Sequence, residues 1–551
     1  MCLIEAMFPF TTNLARRTLS TAVSAPTGPL AGLRVLDLSR ILAGPSATML
    51  MADMGAHITK IERPRSGDDT RRYAPPYLQK GPEQDSDISA YFASCNRNKH
   101  SVALNFTTGE GQQVVRHLLQ ESQVLVENFK TGTLDKYGLG HKQLREEFPG
   151  LIYCSITGFG NTGPYKDRPA YDMLIQAMGG SMSITGVPDG EPMKMGLSMF
   201  DLTAGLHAVI GILAALRHKS QTGIGQHVDI SMLDVSIALL QNQGMNFLAK
   251  KQRQARVGNS HPNVVPYQVM PSRDGYFILT ASNDEQFEKF CKVAAAEELL
   301  QDGRFRTMKA RVVNRVEVTE RLNEITGGHT TNWWLQELEK AGVGCAPILH
   351  LDEVFADPQV RSRDMMIQMA MPGFQKPVNL IGSPLKFSRT KVNYRLAPPR
   401  LGEHTDQVLL AAGFSEDEIK QLRVSGAIGE VPQPVEMPTP PLTMATPTVS
   451  DAKEGDPSPG PVLGSTWDSV RSTSVPNASA FISSEPTSVP RPRSKLRGRA
   501  VGGGTWDSVR SMSVPNASAY VDNLGGGGVP PRPRRQLAKM QDQGTSSKPV
   551  S

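Results

Sequence analysis

Leu33-Arg34-Val35-Leu36-Asp37-Leu38-Ser39-Arg40-Ile41-Leu42-Ala43-Gly44-Pro45 reads as a buried strand, a short turn and the start of a helix. The apolar run through Leu38 fits a strand covered on both faces, and Ser39 ends it. A helical pattern continues from Pro45 through Met54, and Gly55 separates it from a second strand at Ile58-Thr59-Lys60-Ile61. The same step recurs at Gln112 to Glu121 followed by Val124-Leu125-Val126, and Leu151 to Ile156 supplies a further strand. Repeated β-α-β steps predict a parallel sheet with helices on its faces. The first turn lacks the GxGxxG fingerprint, which argues against a dinucleotide, yet it delivers a glycine and a helix N-terminus suited to an anion.

Downstream, Asp201 to His218 is apolar at helical spacing and predicts a buried helix, while Thr222 to Asp229 reads as a turn entering a strand. Met270 to Thr280 predicts a hairpin with Asp274-Gly275 at its tip. Helical stretches at Glu285 to Leu300 and Val312 to Ile325 complete a smaller α/β domain over 225–330, between parts of a large domain at 28–224 and 331–430. Trp333 and Trp334 are expected in packing roles, and His207 in a structural one. Five cysteines without metal-type spacing read as reduced thiols, with Cys154 in the core, and no metal site is expected.

Residues 431–551 are rich in Pro, Gly and Ser and poor in Leu, Ile and Phe, so a disordered tail is expected. Its 13 Lys and Arg against 9 Asp and Glu account for +4 of the chain's +6. The remainder is near neutral, which gives no support to a nucleic-acid partner. The tail carries Thr466-Trp467-Asp468-Ser469-Val470-Arg471-Ser472 and repeats it at Thr505 to Ser511, a duplicated short linear motif, and its basic Arg491-Pro492-Arg493 and Pro531 to Arg535 suit an aromatic-lined groove of a protein partner, with a functionless duplication as the alternative. No uninterrupted run of about 18 apolar residues is present, so no membrane span is expected. Residues 1–27 hold Arg16 and Arg17, a Ser/Thr-rich stretch and one acid, Glu5, the composition of a presequence for the mitochondrial matrix.

Several ordered stretches resemble CoA-transferase family III, the CaiB/BaiF type. They are Leu36-Asp37-Leu38-Ser39 with Ala43-Gly44-Pro45, Lys60-Ile61-Glu62 with Gly67 to Arg71, Asn96-Arg97-Asn98-Lys99, and Val126-Glu127-Asn128-Phe129. Tyr171-Asp172 with Gln176-Ala177, Gly225 to Asp229, and Leu401 to Thr405 complete the set. The resemblance implies a Rossmann-like large domain, a smaller α/β domain and an interlocked homodimer. It also implies transfer of coenzyme A between carboxylic acids, from succinyl-CoA or hydroxymethylglutaryl-CoA to a dicarboxylate such as glutarate or succinate. The CoA thioester is then a substrate, and no permanently bound cofactor is expected.

By local sequence Asp172 reads as a helix N-cap. The resemblance instead makes it the nucleophile, attacking the thioester to give an aspartyl anhydride and then an aspartyl-CoA thioester. It also assigns Arg65, Asn96, Arg97 and Lys99 to the CoA phosphates and their surroundings, with Lys130 as a weaker candidate, and gives Gly258 and Asn259 to a covering loop. A racemase acting at the α-carbon shares this fold, but Ala170-Tyr171-Asp172-Met173-Leu174-Ile175 lacks that branch's Gly-His-Asp-x-Asn-Tyr. A non-catalytic CoA-binding scaffold is the remaining alternative, disfavoured by the intact Tyr171-Asp172. For the N-terminus, a reporter fused to residues 1–30 is expected to enter mitochondria; cytosolic retention would contradict the presequence reading.

Overall fold

A computed structural model describes residues 27–429 except Glu83. The chain divides into Met1–Met444 and Ala445–Ser551, and all described residues belong to the first part. The presequence and tail motifs lie outside the described residues.

Six parallel strands form the main sheet: β1 (Arg34–Asp37), β2 (His57–Glu62), β3 (Lys99–Ala103), β4 (Val124–Glu127), β5 (Ile152–Thr157) and β6 (His227–Ser231). Their order is β3-β2-β1-β4-β5-β6, the doubly wound arrangement in which the connection direction reverses between β1 and β4. Alternation within the strands sorts the core into two layers. Val35, Val124 and Val126 face one apolar cluster while Leu36 and Leu125 face the other. The first cluster is covered by α1 (Ala43–Asp53) and the long helix α4 (Met199–Thr222). The second is covered by α2 (Gly109–Leu119) and by the helices Thr405–Ala411 and Glu416–Val424, so the C-terminal part returns to the large domain.

Close approach dictates two glycines. A Cβ on Gly44 would stand 2.2 Å from the Cβ of Ser39, which lets α1 turn directly off β1. A Cβ on Gly205 would stand 2.7 Å from the carbonyl oxygen of Ala43, where α4 crosses α1. By length and composition α4 is apolar enough to cross a membrane. Its Phe200, Ala204, Ala208 and Ile212 nevertheless form core with the sheet, which is the environment of a buried helix. Leu202, Leu206, Ile210 and Leu213, on its other side, remain exposed.

The smaller domain begins later than the sequence boundary of 225 predicts. His227–Ser231 pairs in parallel with Ile152–Thr157 and so extends the large sheet. The small domain's own sheet is antiparallel, with β8 (Gly275–Thr280) between β7 (Tyr267–Ser272) and β9 (Gly344–Pro347). Its core runs from Val265 to Val343 and includes Trp334, so it also continues past the expected end at 330. The hairpin expected around Asp274 is present.

Charged side chains are packed under the carboxyl ends of β1 and β2 and at the start of β3. Asp37, Lys60 and Lys99 have no exposed surface. Lys99 Nζ lies 3.2 Å from Asp37 and donates to the carbonyl of Pro45 and the amide oxygen of Asn96. Lys60 Nζ pairs with Asp68 at 3.0 Å and donates to the Ser39 carbonyl. Arg71 grips Glu62 with two hydrogen bonds of 2.8 Å and lies over the Phe92 ring. Burial drives the Asp37 carboxyl up, but Lys99, Lys60 and the hydroxyls of Ser39 and Thr48 outweigh it and hold the group below its usual range. Lys99→Met is therefore expected to leave the buried Asp37 carboxylate without the cation in direct contact with it and to lower unfolding stability by about 3–5 kcal/mol. Urea denaturation checks this, and an unchanged midpoint would contradict it.

Candidate active site

An open α/β sheet binds ligands at the carboxyl ends of its strands, where the connection direction reverses. A cleft of about 580 Å³ lies there. From the turn after β1 come Arg40 and Ala43, from the turn after β4 Asn128, Phe129 and Lys130, and from the segment after β5 Lys166, Arg168 and Tyr171. Arg72 and Tyr73 follow β2, and Asp201 comes from the first turn of α4. Five cations thus face two carboxylates, Asp69 and Asp201, in a space matched to a phosphate-bearing ligand.

The two aspartates on either side of the α4 N-terminus are chemically unequal. Asp172 opens the short helix α3 (Asp172–Met178) and is 8% exposed. Its Oδ1 accepts the main-chain N–H groups of Phe200 at 2.7 Å and Asp201 at 3.1 Å, and its Oδ2 accepts the amide of Gln176. It therefore caps a helix other than its own, satisfying N–H groups that α4 leaves unpaired. Gln176 extends this support by accepting from Met195 N and donating to the Leu197 carbonyl. The Asp201 carboxylate, in contrast, accepts no hydrogen bond among the described residues and lines the cleft. Burial first and the neighbouring Asp172 second push Asp201 up to about 7.

The residues expected at CoA divide differently. Asn96, Arg97 and Lys99 are buried and committed inside the protein. Arg97 donates twice to Asp53 and once to the Ile381 carbonyl, and Asn96 bridges the Phe92 carbonyl and Lys99. They anchor α1, β3 and the returning segment and line no part of this cleft. Arg65 is exposed in a left-handed turn (φ 67°), also away from the cleft lining. Gly258 and Asn259 are exposed too, with Gly258 N bonded to the Gly186 carbonyl. Lys130 does line the cleft, together with Arg40, Arg72, Lys166, Arg168 and Asp201, which the sequence reading did not assign to the site.

A CoA-transferase family III model matches residues 30–405, which spans this sheet, the cleft and the small domain. The chain belongs to CoA-transferase family III. This CoA-transferase is 42% identical over 391 residues to a succinate–glutarate CoA-transferase of Agrobacterium fabrum, covering 69% of this chain and 95% of that one. It is 39% identical over 403 residues to a human succinyl-CoA:glutarate CoA-transferase, covering 73% and 90%. A crystal structure of a CaiB/BaiF family protein from Brucella suis superposes with a TM-score of 0.62 at 44% identity, covering 70% of this chain and all of that one. Their acids belong to those proteins, whereas the family and the transfer of CoA are common ground.

The ionisation of Asp201 has a kinetic consequence. Above about 7 its carboxylate adds a negative charge to the cleft and opposes an anionic substrate, so kcat/KM for glutarate should fall as pH rises through about 7. Asp201→Asn should remove that fall. A pH–rate profile that is flat from 5.5 to 8.5 would contradict this.

Proposed function

We propose that this CoA-transferase exchanges CoA between dicarboxylic acids through a covalent intermediate on Asp172, the carboxylate held at the N-terminus of α4. What supports this reading is the setting of Asp172 beside the cleft: its chain neighbour Tyr171 lines the cleft, its Oδ1 is held by two main-chain N–H groups, and its Oδ2 accepts a single hydrogen bond among the described residues and keeps a lone pair. Capping α4 therefore orients the carboxylate without occupying every lone pair, and the capping and nucleophilic roles of Asp172 are compatible.

The sequence of bonds follows. A carboxylate oxygen of Asp172 attacks the thioester carbonyl and expels CoA thiolate, giving a mixed anhydride. The thiolate returns to the aspartyl carbonyl, releases the first acid as carboxylate and forms an aspartyl-CoA thioester. A second carboxylate then attacks that thioester, frees the thiolate and makes a new anhydride. Thiolate attack on the incoming acyl carbonyl yields the new acyl-CoA and restores Asp172. No net proton is consumed, and excluding water prevents hydrolysis of the two activated aspartyl species.

The choice of dicarboxylates is supported by the relatives, whose names specify succinate, glutarate, mesaconate, citramalate or oxalate. A second carboxylate needs a cationic pocket to offset its desolvation, and Arg40, Arg72, Lys130, Lys166 and Arg168 supply one. The N-terminal composition supports placement in the mitochondrial matrix. A homodimer, interlocked as the resemblance implies, is supported by the exposed Leu202, Leu206, Ile210 and Leu213 stripe on α4 and by exposed Met245, Phe247 and Leu248 on the later helix Gln241–Lys250. A monomeric mass by light scattering would contradict the dimer.

Asp172→Asn is expected to fold normally and lose succinyl-CoA:glutarate transfer by several orders of magnitude, while Asp201→Asn keeps far more of it. Near-native turnover by a folded Asp172→Asn protein would overturn the assignment. Equal rates with glutarate and butyrate would contradict the dicarboxylate preference.

A further inference from the structure

The loops after β1 and β4 turn away from one another at the reversal point, and nothing in the strand ladder fixes the gap between them. The last ladder bond there is Leu38 N to the Val126 carbonyl at 2.8 Å. Beyond it, the side chain of Asn128 takes over the work of a main chain. Its Oδ1 accepts from Arg40 N at 2.7 Å and its Nδ2 donates to the Arg40 carbonyl at 2.7 Å. This reciprocal pair, 88 residues apart in sequence, joins the two walls of the cleft.

Both neighbours of Asn128 extend the joint. Glu127 Oε2 accepts Phe129 N at 2.8 Å, fixing the turn that follows β4. Phe129 then sits edge-on against Phe106, with the Arg40 guanidinium 5.2 Å from its ring centre. Arg40 Nη1 is tied to Asp69 at 2.8 Å, while its Nε is buried without an acceptor among the described residues. The guanidinium is therefore aimed along the cleft wall by its main chain, by Phe129 and by Asp69 together.

We propose that Asn128 is a positioning residue for acyl-CoA binding: by clasping the Arg40 main chain it sets the width of the cleft and the direction of the Arg40 side chain. The inference rests on the cleft being the acyl-CoA site. Of the polar side chains, only a carboxamide of this length presents an acceptor and a donor side by side to one residue's N–H and C=O. Aspartate keeps the shape and the acceptor, but sets a second oxygen against the Arg40 carbonyl.

The test is a double-mutant cycle with Asn128→Asp and Arg40→Met in the full-length enzyme, reading CoA binding by calorimetry, steady-state constants and thermal unfolding. Asn128→Asp should raise KM for succinyl-CoA by about tenfold or more with a much smaller change in kcat. Its effect should largely vanish in the Arg40→Met background, because the residue acts through Arg40. Full additivity of the two substitutions, or an unchanged KM, overturns the proposal. So does a fall in unfolding temperature that accounts for all lost activity while KM stays constant. If wild-type enzyme turns over succinyl-CoA but Arg40→Met and Lys130→Met leave CoA affinity intact, the cleft assignment itself fails, a different result from failure of the Asn128 clasp alone.

Discussion

The ion pair between Lys99 and Asp37, both without exposed surface, is the constraint on which the arrangement of this enzyme depends. A lone charge at that depth costs several kcal/mol, so neither partner is tolerated without the other. Asp37 closes β1 and holds Ser39 and Thr48, which sets the turn into α1, while Lys99 opens β3 and holds the Pro45 carbonyl. With Lys60, Asp68, Glu62 and Arg71 around it, this neutral cluster ties the carboxyl ends of β1 and β2 to the start of β3. The turns that build the cleft there rest on a fixed base.

On that base one carboxylate performs two tasks. Asp172 holds the first turn of α4 through Oδ1, and the same hydrogen bonds fix the direction of the carboxylate while Oδ2 keeps a lone pair. Its charge in turn opposes a second negative charge on Asp201, which is carried on that turn and has its ionisation raised. Structural support and chemical tuning thus come from one interaction.

Much of the fold was legible because the apolar alternation in Val35-Leu36 and Val124-Leu125-Val126 is a direct record of two covered faces. The last strand was misassigned to the small domain because Thr222-Gly223-Ile224-Gly225 has the composition of a linker, and local sequence does not record which sheet a following strand joins. The site was less legible. Asn96-Arg97-Asn98-Lys99 looks like a solvated basic cluster, yet its partners Asp53 and Asp37 lie 44 and 62 residues earlier and become visible only when the chain folds. Asp201 was hidden inside an apolar helical pattern, where the one useful signal was an acid in the first turn of a long helix. Arg40, Arg72, Lys130 and Arg168 come from separate turns, and only the order of the sheet brings those turns to one place.

The most direct test is to find the carbon that carries the activated acyl group. Enzyme incubated with succinyl-CoA and hydroxylamine should form an aspartyl hydroxamate, which mass spectrometry of the digested protein can assign to one residue. The account predicts modification at Asp172, dependent on succinyl-CoA, with Asp201 unmodified. A hydroxamate at Asp201, with Asp172 unmodified, would contradict it.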